Sequence, residues 1–424
     1  MNPEIHSMFE RNKEQLKPWS APPLNLLTIA GLTSDKFVVK IIDEYYQKID
    51  FVEEVDLVGI TAMTQQAYRA YEIADIYRKK NIPVVMGGIH ASVLPDEALK
   101  HVDTVIIGEA EELWGNYLED LINENEKEIY KSEKPFNLDN SPFPRYNLID
   151  FSAFKDSNNY FNYYPVQATR GCPHDCSFCA VTKIYGKKIR KKKINHILNE
   201  IKLIRKYDND GLILFVDDNL FVDKKFSKAL LSELIPLKIK YFAQTDINFS
   251  EDEELLDLAY RSGCQIAFIG FESLNPKSLG EVNLNNWKKN RVDKYSERIK
   301  RIQEHGIVVF GAFVIGFEND SLQSFKEIKD FVISNNIPGQ FTILTPIPGS
   351  RIYNDLKERN KLYEDVFWNK CGFYNLTFKH DYLNAQEAER ELIWLYDEVF
   401  SMNITIKRLL YIKNIYKELP PRWE

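Results

Sequence analysis

Three cysteines lie within eight residues of one another. Residues 168–180 read ATRGCPHDCSFCA, so Cys172, Cys176 and Cys179 follow a C-x3-C-x2-C spacing. Thiolates are soft ligands, and spacing this close lets three of them converge on one metal centre from a single loop. Three is one short of the four that a cubane [4Fe–4S] cluster or a structural zinc takes. The missing ligand leaves one metal open to a substrate or cofactor. Zinc could recruit His174, but His174 lies between two of the cysteines, where a fourth donor struggles to reach the same ion. Three unrelated thiols are the remaining alternative. A site-differentiated iron–sulfur cluster fits the pattern best. Cys264 adjoins an apolar run and reads as a buried structural thiol. Cys371, in Asn369-Lys-Cys-Gly-Phe373, reads as structural too, with a catalytic thiol or extra ligand as the other option. Five cysteines in 424 residues make no disulfide framework.

A loop of this kind needs a scaffold, and the chain around it is rhythmic. Strand candidates at Val166–Thr169, Gly211–Val216, Lys240–Thr245, Gln265–Gly270, Ile307–Ile315 and Gln340–Leu344 alternate with helical patterns at 194–207, 223–234, 251–262, 288–305 and 321–335. Six βα units over residues 166–350 predict a partial (β/α)6 barrel, whose active mouth is lined by polar groups at strand C-termini. Asp217, Asp218 and Asn219 end the second strand, Gln244 and Thr245 the third, and Glu272 the fourth. Helix N-capping is the bland reading of Asp217 and Asp218. Gly270, Gly311 and Gly316 would let a nucleoside approach the backbone; ordinary turns are the alternative.

Residues 21–130 also alternate strands with helices. Phe37–Ile42, Leu57–Ala62, Pro83–Met86 and Thr104–Ile107 are the strand candidates, and Ala67–Lys80 is helical. This predicts a doubly wound, Rossmann-like α/β domain with its ligand at the carboxyl ends of the strands. Residues 1–20 read as a polar arm and 131–165 as a Pro-rich linker. Residues 351–424 form a C-terminal extension that is mostly helical from Asn384. The balance of 55 Lys+Arg against 62 Asp+Glu argues against a nucleic-acid partner. The lysines of the basic run 187–193 read as a solvated face, with Arg190 the best candidate for an anionic group. No window approaches 18 consecutive apolar residues, and the N-terminus lacks the apolar core of a secretion signal, so a cytoplasmic protein without a membrane span is expected.

The cysteine motif directly after a first barrel strand, with aromatic Phe178 before the last cysteine, resembles the radical S-adenosylmethionine (radical SAM) superfamily. Thr61-Ala-Met-Thr64, Gly87-Gly88-Ile-His90, the Pro22–Ala30 segment and Ile107-Gly-Glu-Ala-Glu111 resemble the cobalamin (B12)-binding domain that precedes many such barrels. The resemblance implies that Cys172, Cys176 and Cys179 hold a [4Fe–4S] cluster whose open iron binds SAM. One electron then cleaves SAM to methionine and a 5′-deoxyadenosyl radical, which abstracts a substrate hydrogen. Phe178, Asp217, Asp218, Gln244, Glu272 and Gly311 are expected around SAM. Thr61, Thr64, Gly87 and Gly88 are expected beside the cobalamin nucleotide tail, where only small side chains let a bulky group insert. His90 is expected to be an ordinary polar loop residue. Two departures stand out. The D-x-H-x-x-G motif that supplies an axial histidine is absent, and no apolar strand precedes Pro22. The expected reaction is cobalamin-dependent methylation of a small-molecule or lipid-like biosynthetic intermediate, with an electron donor such as flavodoxin or ferredoxin. A cobalamin-independent radical rearrangement, epimerisation or cyclisation is the first alternative. A non-catalytic iron–sulfur or zinc protein is the second.

Overall fold

Two sets of parallel strands organise the chain. The computed structural model describes residues 21–44, 46–151, 163–282, 286–363 and 368–415; the arm at 1–20 lies outside them. The first sheet comprises β1 (Val58–Thr61), β2 (Val84–Gly87), β3 (Thr104–Ile107) and β4 (Ile129–Lys131), in the order β1-β2-β3-β4 and parallel throughout. The second comprises β5 (Tyr163–Val166), β8 (Leu212–Phe215), β9 (Tyr241–Thr245), β10 (Cys264–Glu272), β11 (Val308–Ile315) and β12 (Gly339–Ile343), joined in sequence order by parallel ladders. Between β5 and β8 sits a short antiparallel hairpin of β6 (Thr169–Arg170) and β7 (Arg190–Lys191). The fold is thus α/β: a B12-binding-type domain, a curled parallel half-barrel and a helical C-terminus.

Alternation along the barrel strands separates two environments. Tyr241, Ala243, Ile269, Phe271, Val309 and Phe313 point outward, are fully buried, and pack under the helices as the main core. The alternate residues point into the lumen. There the register places Gln244, Phe268 and Phe310 side by side, with Gly270, Ala312 and Gln340 forming the next layer. The helices that cover the outer face start where small polar side chains accept backbone N–H groups. Asp223 caps Lys224–Leu234, Asp252 caps Glu253–Ser262, and Asn384 caps Ala385–Val399.

The strand expected over Phe37–Ile42 does not form. These residues pair with nothing in either sheet, and Val38 is fully exposed. An extended run becomes a strand only against a partner ladder, and β1 forms the edge of the first sheet as described. The described strands run in the order β1-β2-β3-β4, with helices on both faces: Ala67–Arg78 packs with Val84 and Met86, and Leu113–Ile122 with Val85 and Ile106. Within 131–165, Tyr146 ties the linker to the barrel by donating to the Pro165 carbonyl at 3.1 Å and to Glu200 at 3.3 Å. Among the described residues no helix is long and apolar enough to cross a membrane.

Candidate active site

The three cysteines lie on the loop that the β6–β7 hairpin encloses. Cys172 N–H donates to the Gly186 carbonyl at 3.3 Å, and Cys179 N–H to that of Cys176 at 3.1 Å. Gly171 has a φ of +94°, and a Cβ there would stand 2.5 Å from the Lys188 carbonyl oxygen. Gly171→Ala should therefore cost about 1–3 kcal/mol, read as a lower Tm and faster loss of iron. An unchanged Tm would contradict the close approach.

Carboxylates from neighbouring strand ends fix this loop. Asp217 is fully buried and accepts from Ala168 N–H at 3.2 Å, from Thr169 N–H, and from the Thr169 hydroxyl at 2.7 Å. It is spent on backbone immediately ahead of the cysteines. Neither it nor Asp218 caps a helix; Asp223 does that. Asp218 accepts from Gly171 N–H, while its Oδ2 is buried without a hydrogen-bond partner. Burial pushes both carboxyls up to about 6. His174 donates its Nε2–H to Asp246 at 2.7 Å, and Asp246 also accepts from Asn219 at 2.8 Å. Thr245 donates in turn to Asn219 at 3.2 Å. Trp287 stacks on the His174 ring at 4.4 Å. Burial opposes the Asp246 charge, yet the His174 and Asn219 bonds hold its carboxyl below the usual range.

Among the described residues no three His, Cys, Asp or Glu side chains group so as to hold one metal ion. A cubane asks something else, because each thiolate there binds a different iron and the three sulfurs stay apart. None of the three cysteines is in a disulfide, and all are partly exposed. Burial pushes Cys172 and Cys179 up to about 12, so these thiols are neutral until a metal displaces their protons.

Glu272 is the most elaborated of the expected SAM residues. It follows a bulge in β10, has a φ of +68°, and is buried. Its Oε1 accepts from Lys288 Nζ at 2.5 Å, and Lys288 also donates to the Gly270 carbonyl at 2.6 Å. A Cβ on Gly270 would stand 2.5 Å from that same Oε1, so the glycine is what makes room. Burial works against the Lys288 ammonium, but Glu272 outweighs it and holds the lysine well above its usual range, with Cys176 close enough to add to the effect. Sequence reading missed Lys288; its one signal was a lysine in an otherwise polar stretch after the fourth strand. Gln244 faces the lumen, half-buried. Phe178 meets Phe317 at 6.0 Å. Gly311 faces away from the lumen: a side chain there would meet Phe313, Ile337 and Phe271 in the outer core. Its small size serves packing, and Ala312 is the lumen residue of that strand.

At the C-terminal edge of the first sheet, Thr61 accepts from Asn25 at 3.0 Å, and the buried Thr64 hydroxyl has no partner. Gly87 ends β2 and Gly88 follows it, with the Gly88 backbone pressed against Thr61. A Cβ on Gly108, after β3, would meet open space. An orphan hydroxyl and a rim of small residues fit the insertion of a ligand tail. His90 departs from expectation. It lies in the helix Gly88–Val93, is fully buried, and contacts the Tyr71 hydroxyl at 2.7 Å. Glu97, in the next helix Pro95–Ala98, accepts from Tyr71 at 3.1 Å and from Trp368 Nε1 at 2.7 Å, tying this region to the C-terminal segment. Arg190 is likewise not free for an anionic substrate, because Glu109 and the Phe136 carbonyl take its Nη1 at 2.8 Å each.

These two halves are matched by two family models: the Radical SAM superfamily over residues 166–332 and the B12 binding domain over residues 20–116. The chain belongs to the radical SAM enzymes that carry a B12-binding domain, and its cofactors are a [4Fe–4S] cluster, SAM and cobalamin. It is 33% identical to bacteriochlorophyllide d C-12(1)-methyltransferase of Chlorobaculum tepidum, over 91% of this chain and 84% of that one. It is 30% identical to the C-8(2)-methyltransferase of the same organism, over 93% and 88%. The fold resembles the radical SAM methyltransferase TsrM of Kitasatospora setae with a TM-score of 0.68 at 15% identity, covering 92% and 81%.

Proposed function

We propose that this enzyme methylates a carbon of a flat, largely apolar biosynthetic intermediate of the tetrapyrrole kind. The likeness to two bacteriochlorophyllide methyltransferases over nearly the whole of each chain carries the reading. When bound, the cluster supplies the electron that cleaves SAM, and cobalamin supplies the methyl group.

The chain's own residues have narrower tasks. Cys172, Cys176 and Cys179 hold the cluster. Asp217 sets the backbone ahead of them, and Asp246 orients His174 inside the ligand loop. Glu272, held by Lys288, accepts from the amino or ribose groups of SAM. The buried free oxygen of Asp218, the lumen-facing Gln244 and Phe178 complete the SAM surround. Thr61, Thr64, Gly87 and Gly88 border the cobalamin tail. Phe268 and Phe310, stacked at 5.6 Å in the lumen, offer a flat apolar wall to the substrate. A flavodoxin- or ferredoxin-type donor in the cytoplasm completes the picture.

The test is anaerobic turnover with SAM carrying a CD3 group and bacteriochlorophyllide d as first substrate. The expected result is a product bearing CD3, with 5′-deoxyadenosine and S-adenosylhomocysteine formed in equal amounts. Formation of 5′-deoxyadenosine with an unmethylated, rearranged product would favour the cobalamin-independent alternative instead.

A further inference from the structure

Two arginines stand directly opposite each other at the base of the loop that carries the cysteines. In the β6–β7 ladder Arg170 is the register partner of Arg190. Like charges facing each other across an antiparallel pair are destabilising. This hairpin has only two residues in each strand, flanked by the Lys192 N–H to Ala168 carbonyl bond at 2.9 Å and the Cys172 N–H to Gly186 carbonyl bond at 3.3 Å. So short a ladder is sensitive to what stands between the two guanidinium groups.

That group is Glu109, which comes from the other domain. It follows Gly108 at the exit of β3. Its Oε1 accepts from Arg170 Nη1 and from Arg190 Nη1, each at 2.8 Å. Its Oε2 accepts from Phe136 N–H at 3.0 Å, which binds the linker to the same point. Glu111 adds a contact to Arg170 Nη1 at 2.6 Å and none to Arg190. All four charged side chains are nearly buried, from 5% exposed at Glu111 to 14% at Arg190. Burial opposes the Glu109 charge, yet the two arginines hold its carboxyl below the usual range. A buried ionic network of this kind is weak evidence for stability by itself. Its place is more telling: Arg170 is two residues ahead of Cys172, and the hairpin encloses all three cysteines.

We propose that the B12-binding domain organises the cluster loop directly, with Glu109 as a positioning residue that turns the Arg170–Arg190 repulsion into a closed hairpin. This rests on the assignment of the cluster to Cys172, Cys176 and Cys179. It makes the two cofactor sites energetically coupled: whatever displaces the β3 exit loosens the cluster, and whatever orders the cluster loop favours docking of the first domain. Glu109 touches no cysteine, so the effect travels through the two arginines.

The experiment measures how fast a chelator extracts iron from the reconstituted, SAM-free protein, together with amide hydrogen exchange over residues 169–191. Four proteins are compared: wild type, Glu109→Gln, Arg190→Gln and the double variant. Glu109→Gln should speed iron loss and hairpin exchange by about tenfold, a coupling of ordinary size for a shared ionic network. The double variant should return to within about threefold of Arg190→Gln alone, because removing one arginine removes the repulsion that Glu109 relieves. Two results would overturn the proposal: wild-type iron loss in Glu109→Gln, or a double variant whose rate is the product of the two single effects. If Glu109→Gln folds poorly, exchange in the Arg190→Gln background still decides, since there Glu109→Gln should add little. Wild-type protein that takes up no iron would instead strike at the cluster assignment, and is told apart by that.

Discussion

Replacing Cys172, Cys176 and Cys179 together with alanine removes the iron and SAM cleavage in one step. Wild-type protein, reconstituted without oxygen, should hold about four irons per chain, with a three-cysteine ligand set. The triple variant should hold none and should form 5′-deoxyadenosine only at the background rate. The stability cost should be small, because all three thiols are partly exposed and belong to a loop. Iron content, Tm and 5′-deoxyadenosine are read on the same sample. A folded variant that still cleaved SAM would show that the cluster is held elsewhere. A variant that lost its fold along with its iron would point to a structural metal.

The second large effect is expected at Lys288. Its ammonium is shared between the Glu272 carboxylate and the Gly270 carbonyl. Lys288→Met leaves that carboxylate buried without its cation. Removing one partner of a buried pair costs about 3–5 kcal/mol at the pair itself. Part of that strain is relieved as Glu272 turns away, and its aim at SAM goes with it. SAM affinity should then fall by about 10- to 100-fold, the equivalent of 1.4 kcal/mol per tenfold step. Iron content should not change. Lys288→Arg should recover part of the affinity. The check is anaerobic titration of SAM, followed by the change in the electron paramagnetic resonance signal of the reduced cluster. Tighter binding in Lys288→Met would mean that the lysine competes with SAM for Glu272, which contradicts its positioning role.

Local patterns in the chain carried most of this architecture. The cysteine spacing is a chemical statement about a single loop, and it needs no distant residue to be understood. The six barrel strands, and the helices between them, follow from short apolar runs separated by amphipathic ones. What escaped is long-range. Phe37–Ile42 has the composition of a strand, but a strand is a property of a pair, and its partner is not encoded in those six residues. Arg190 looked like a group free for an anion and His90 like an ordinary polar loop residue; both are engaged by residues 81 and 19 positions away. Gly311 illustrates a one-residue ambiguity. The strand was evident, but which of its faces meets the lumen depends on register, and that selects Ala312. Lys288 and Asp246 were missed because a buried ion pair has no sequence signature until the fold brings its partners together.

One chain is expected to hold a radical-generating cluster and a methyl-carrying cobalamin in two docked domains. The most direct measurement is iron and cobalt per chain on the same sample, purified without oxygen from cells supplied with cobalamin. About four irons together with near-stoichiometric cobalt are expected. About four irons without cobalt would contradict that expectation: the first domain would then be a cap, and the chemistry a rearrangement or cyclisation in place of methyl transfer.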